Sequence, residues 1–197
     1  MEVPEGAVAP KPPSVTLAFN AGGGLADKPA SRFLAGIPDA NGDFRINDVY
    51  PGAYQILPGL SPPQYYLDSI RIGGHDALES DVEILPGAQP LIVTYKLGGG
   101  TVRGTVEKCA DGAVRLLPHD KALWRRGFVW FAPCDSNDRY AITAVRPGEY
   151  YALAIAGDSP TPWWAAMWGD DGPVNDVSIV TVRDGENSLA DLRAIRQ

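Results

Sequence analysis

The chain is poor in the residues that carry chemistry. Its 197 residues include two cysteines and two histidines, His75 and His119. Two cysteines with no histidine pair beside them are too few for a zinc site. No Gly-x-Ser-x-Gly or other nucleophile motif accompanies the histidines, so Ser-His-Asp chemistry has no support. Each histidine reads instead as an exposed residue near a turn. Runs of basic residues are missing too, and the formal net charge is −7. A phosphate backbone calls for clustered lysine and arginine, so nucleic acid is a poor partner. No apolar run reaches the roughly 20 residues that cross a bilayer, so membrane insertion by this stretch is not expected. Met1 is followed by Glu2 and Glu5 without the basic and apolar regions of a signal peptide, so any targeting segment is expected upstream. No catalytic residue, cofactor or metal is expected.

Turn formers are abundant. The 22 glycines and 18 prolines make up about a fifth of the chain, well above average usage. Glycine supplies positive φ and proline pre-sets corners, so this balance favours short strands joined by tight turns. One phrase occurs twice. Asn41-Gly42-Asp43-Phe44-Arg45-Ile46 leads to Pro51-Gly52-Ala53-Tyr54, and Asn137-Asp138-Arg139-Tyr140-Ala141-Ile142 leads to Pro147-Gly148-Glu149-Tyr150. The aromatic, proline and tyrosine of the second phrase each lie 96 positions after their counterparts (44 to 140, 51 to 147, 54 to 150). A repeat of that length is a whole small domain rather than a solenoid unit. Two all-β modules, 1–98 and 99–197, are expected.

Alternation of apolar and polar residues marks strands at 15–19, 32–37, 43–47, 54–57, 65–72 and 91–97 in the first module. In the second it marks strands at 101–107, 113–117, 128–131, 177–182 and 189–195, together with the repeated phrase. The one expected helix is short, residues 162–168, with Pro160 and Pro162 at its start and Gly169 at its stop.

The frame Gly104-Thr105-Val106, Gly112-Ala113-Val114-Arg115-Leu116, Asn137-Asp138-Arg139-Tyr140 and Val145-Arg146-Pro147-Gly148-Glu149-Tyr150 resembles the carboxypeptidase regulatory-like domain family. The first module is similar through Asp39-Ala40-Asn41-Gly42-Asp43-Phe44 and Val49-Tyr50-Pro51-Gly52-Ala53-Tyr54. The resemblance implies a transthyretin-like (prealbumin-like, Greek-key) β-sandwich for each module, with little helix. It also implies a piece of a longer exported or envelope bacterial protein. Asp138 stands where the family prefers glycine, and aspartate is among the residues that best tolerate the left-handed region. The first module shows no clear Gly-x-Val opening strand before Val15; either its first strand lies in sequence upstream or the Pro-rich N-terminus stands in for it, and the former is expected. In the implied topology Cys109 and Cys134 fall at the same end of the second sandwich, which makes them a disulfide candidate.

Asp39, Asn41 and Asp43 have the spacing of a calcium loop, but that loop needs glycine at its sixth position and glutamate at its twelfth. Phe44 and Tyr50 stand there, so the cluster reads as a hairpin turn. Trp163, Trp164 and Trp168, with Asp170 and Asp171 after them, form the sharpest candidate ligand surface. Flat aromatic faces beside polar groups suit a sugar ring, although tryptophan also buries a large area as plain core. The expected role is that of non-catalytic modules acting as spacer, stabilising or protein-interaction domains. The partners would be other domains of the parent protein, in a periplasmic, outer-membrane-associated or extracellular setting. A carbohydrate-binding module with polysaccharide as its ligand is the first alternative. A regulatory domain packed on a peptidase or receptor is the second.

Overall fold

The computed structural model describes residues 10–19, 33–109, 111–124, 128–157 and 177–195. The chain is all-β, and the described residues include one turn of 3-10 helix, Lys121–Leu123. Asp120 caps that turn, its carboxylate accepting the Ala122 N–H at 2.9 Å. Two compact units divide between Leu97 and Gly98.

The first unit holds β1 (Val15–Phe19), β2 (Phe33–Gly36), β3 (Gly52–Pro58), β4 (Tyr65–Ile72), β5 (His75–Asp76), β6 (Val82–Ile84) and β7 (Leu91–Leu97). One layer runs β2-β1-β3-β6, all antiparallel; the other runs β5-β4-β7. Val15, Leu17, Tyr54 and Ile56 from the first layer, and Leu67, Ile70 and Tyr95 from the second, supply buried core side chains. Strict alternation along 65–72 would put Leu67 and Ile70 on opposite faces. A bulge between Leu67 and Ser69 shifts the register by one, so both are buried.

The second unit holds β8 (Gly100–Glu107), β9 (Ala113–Pro118), β10 (Trp130–Pro133), β11 (Arg139–Val145), β12 (Gly148–Ile155), β13 (Ser178–Val182), β14 (Asn187–Leu189) and β15 (Leu192–Ile195). Its first layer, β10-β9-β12-β13, repeats the antiparallel order of β2-β1-β3-β6. In the other layer β8 pairs antiparallel with β11 and parallel with β14 and β15. β15 also pairs with β12 and so joins the layers at one corner. Val102, Val106, Tyr140, Ile142 and Val145 meet Val114, Leu116, Tyr150, Ala152, Ala154 and Val180 in one buried cluster, a β-sandwich core.

The repeated phrase builds the same two corners twice. The Asp39 carboxylate accepts the N–H groups of Asn41 and Asp43 at 2.8 and 3.1 Å; the Asp135 carboxylate accepts those of Asn137 and Arg139 at 2.8 and 2.9 Å. The acidic cluster at 39–43 is thus an Asx-type turn spent on its own backbone. Gly42 has φ +89° and Asp138 φ +57°, the left-handed position that both sequences must fill. At the second corner the Tyr54 hydroxyl donates to the Tyr50 carbonyl at 2.8 Å, and the Tyr150 hydroxyl to the Arg146 carbonyl at 2.7 Å.

Two expectations are corrected. Residues 43–47 keep the alternation of a strand, with Phe44 and Ile46 half-buried, yet they belong to no sheet. A strand is defined by its partner, and among the described residues nothing pairs with them. The closing run 189–195 is split into β14 and β15, because the chain crosses the bare backbone of Gly104 at Ala190.

Candidate functional site

The structure brings Cys109 and Cys134 together as a disulfide, with Cα atoms 6.4 Å apart. Cys109 follows β8 and Cys134 follows β10, so the bridge ties two loops at one end of the second unit. Trp163, Trp164, Trp168, Asp170, Asp171 and the helix expected at 162–168 lie outside the described residues. His75 is exposed on the short β5, and His119 lies against the Tyr151 ring with centroids 4.9 Å apart.

A shallow groove of the second unit lies over β8 and β11, with a volume of about 530 Å³. Alternation along the strands decides what lines it. Val102 and Val106 point into the core, so Arg103 and Thr105 point outward; Tyr140 and Ile142 point in, so Arg139 and Ala141 point out. Leu189 and Asp191 complete the wall on the β14–β15 side, and Asp135 stands at the end. A Cβ at Gly104 would collide with the Ala190 carbonyl, so this crossing requires glycine there. Beside it, the buried Tyr140 hydroxyl donates to the Ala190 carbonyl at 2.7 Å.

Each ionisable group in this groove with a shifted pKa moves away from neutrality. The Asp191 carboxylate accepts the Thr105 N–H at 2.9 Å and the Thr105 hydroxyl at 2.8 Å, and these bonds hold its pKa below the ordinary value. Asp135 is held low by the N–H groups of Arg139 and Asn137. Burial, helped by the charge of Asp191, pushes Tyr140 well up. The carboxylates therefore stay ionised and the phenol stays protonated around pH 7. No histidine or cysteine lines the groove. Such a site can offer hydrogen bonds and the charges of Arg103 and Arg139, but it holds no group poised to move a proton. Among the described residues no cluster of three or more His, Cys, Asp or Glu side chains could hold a metal ion.

Reading the sequence for motifs passed over this groove. Its signal was the outward register of β8 and β11, which depends on knowing that the two strands pair. Asp135 was also missed, although its place 96 positions after Asp39 was available.

No family model matches the chain, and no curated protein matches it. Solved structures with detectable similarity include a Pseudomonas aeruginosa protein proposed to bind carbohydrate, at 16% identity and TM-score 0.35 over 49% of this chain and 88% of that one. Another is GBS52, the minor pilin of Streptococcus agalactiae, at 10% identity and TM-score 0.36 over 100% of this chain and 88% of that one. A third is the Bacillus anthracis TIE protein, at 9% identity and TM-score 0.32, where the match spans 92% of this chain and 34% of that one. These similarities assign no ligand, partner or activity to the chain.

Proposed function

We propose that the chain is a pair of non-catalytic β-sandwich modules of the carboxypeptidase regulatory-like kind, belonging to a larger exported or cell-envelope bacterial protein. There they act as spacer, stabilising or protein-interaction domains. The observation that carries this reading is the hydrogen bonding of the groove over β8 and β11: Asp135 accepts from the Asn137 and Arg139 N–H groups of its own turn, Asp191 accepts from Thr105, and Tyr140 donates to the Ala190 carbonyl, so each is spent on the backbone or a neighbouring strand. Polar groups used in this way serve rigidity rather than turnover. The Cys109–Cys134 bridge supports an oxidising compartment, where such bonds form and persist.

A tryptophan-fluorescence titration against a panel of soluble polysaccharides tests the reading, with the Trp164→Ala, Trp168→Ala double variant as control. The spacer role predicts no saturable response in either protein. Saturable quenching that disappears in the variant would replace it with the carbohydrate-binding alternative. Saturable binding of a peptidase or receptor domain from the same parent protein would favour the regulatory alternative.

A further inference from the structure

The second unit has a strand with no counterpart among the described residues of the first. There, β8 lies between β11 on one side and β14 and β15 on the other. The counterparts in the first unit, 96 positions earlier, are residues 43–49 and β7. Residues 43–49 share one irregularity with β11: Asp48 has φ +56° where Ala144 has φ +54°. Their apolar side chains are less covered, however. Tyr140 and Ile142 are both 4% exposed, whereas Phe44 and Ile46 remain half-buried. Between 43–49 and β7 runs a groove of about 790 Å³, lined by Phe44, Ile46, Leu17, Ile84, Leu91 and Val93. It corresponds to the space that β8 fills in the second unit.

The described chain leads into that groove. Pro10, Pro12 and Pro13 line an adjoining cleft of about 210 Å³ together with Gly42, Phe44 and Val93. At the matching end of the second unit, the Val106 N–H donates to the carbonyl of Asp138, the counterpart of Gly42, at 2.7 Å. Residues 10–14 separate Ala9 from β1, just as residues 108–112 separate β8 from β9, five in each case. The sequence before Pro10 contains Gly6-Ala7-Val8, which repeats the small–x–Val order of Gly104-Thr105-Val106. Pro4 has no N–H to give a ladder and is tolerated at the first residue of a strand.

We propose that this groove is a strand-acceptor site and that residues 4–9 of the same chain are its occupant, docking antiparallel to 43–49 and parallel to β7. The docking is β-augmentation: main-chain hydrogen bonds supply affinity, and alternate small side chains supply the fit. It also covers the edges of 43–49 and β7 that have no strand partner among the described residues and would otherwise template pairing with other chains.

Amide hydrogen exchange on the full chain tests this, comparing wild type with Val8→Asp and with a deletion of residues 2–9. The expected result is slow exchange in 44–49 and 91–95 of the wild type, accelerating at least tenfold in both variants while β12 stays unchanged. Exchange in wild-type 44–49 as fast as in an open loop would overturn the proposal. So would equal protection in the wild type and the deletion. Protection that vanishes on dilution, with a dimer seen by light scattering, would assign the groove to a second copy instead.

Discussion

Tyr54 and Tyr150 each fasten a chain reversal with one hydrogen bond from a largely buried ring to a carbonyl four residues back. Removing the hydroxyl leaves the ring's packing in place but deprives the Arg146 carbonyl of its donor. Tyr150→Phe should therefore cost about 1 kcal/mol, read as a lower urea midpoint with an unchanged m-value. A midpoint equal to wild type would mean that water replaces the phenol at no cost. The aspartates make a second prediction at this scale, with opposite sign to the tyrosines. Asp135 and Asp191 have pKa values lowered by the hydrogen bonds they accept. Their contribution is present above the usual aspartate pKa of about 3.9 and is lost as pH falls through the lowered folded value. Burial raises the pKa of Tyr150 and Tyr140. Their contribution is full below the unfolded phenol's value of about 10 and is lost as pH rises through the raised one. Thermal melts between pH 2 and 5 should show the second unit losing stability with acid, and Asp135→Asn should flatten part of that slope. Equal slopes in the two proteins would show that the Asp135 charge plays no part.

Among the elements, the Pro-Gly corners that open β3 and β12 look alike but are not equally tolerant. Gly52 and Gly148 have φ of +154° and +157°, a region that costs other residues about 1–3 kcal/mol. A Cβ on Gly52 would also lie 2.7 Å from the Phe19 ring, whereas one on Gly148 would meet nothing closer than Tyr150 at 3.6 Å. Gly52→Ala should therefore destabilise its unit by more than Gly148→Ala does, by about 1 kcal/mol or more on overpacking alone. Chemical denaturation of the two variants checks the order, and equal losses would mean that Phe19 swings aside freely. These corners were legible in the sequence because Pro, Gly and Tyr act locally: each fixes a dihedral or reaches a carbonyl four residues away. Alternation also located β1, β9 and β12. It failed where the outcome depends on a partner. Residues 43–47 alternate as well as 139–145 do, but β11 is a strand because β8 lies beside it. The bulge at Leu67–Ser69 left no mark in the pattern, since its cause lies in the pairing with β7. Gly6-Ala7-Val8 drew no strand reading among its flanking prolines, because alternation over three residues carries little signal without a known partner. The groove over β8 and β11 was hidden for the same reason, as Arg103 and Arg139 share a face through pairing alone.

At the scale of the whole molecule, the two units share the strand order of one antiparallel layer, but only the second has a covalent tie. Cys109 and Cys134 are separated by 25 positions and both lie in the second unit. A loop of that length is worth about 3 kcal/mol in the chain-entropy model, which acts by restricting the unfolded chain. The first unit has no cysteine, so a reductant has nothing to act on there. For a domain of about 100 residues each kcal/mol moves the midpoint by roughly 4–8 °C. Calorimetry of the oxidised chain should then resolve two transitions, and dithiothreitol should lower one of them by more than about 10 °C while leaving the other in place. The Cys109→Ala, Cys134→Ala variant should show the same displacement with no response to reductant. A single transition that moves as a whole would mean that the two units unfold together, and the tandem-module reading would have to give way to one cooperative fold.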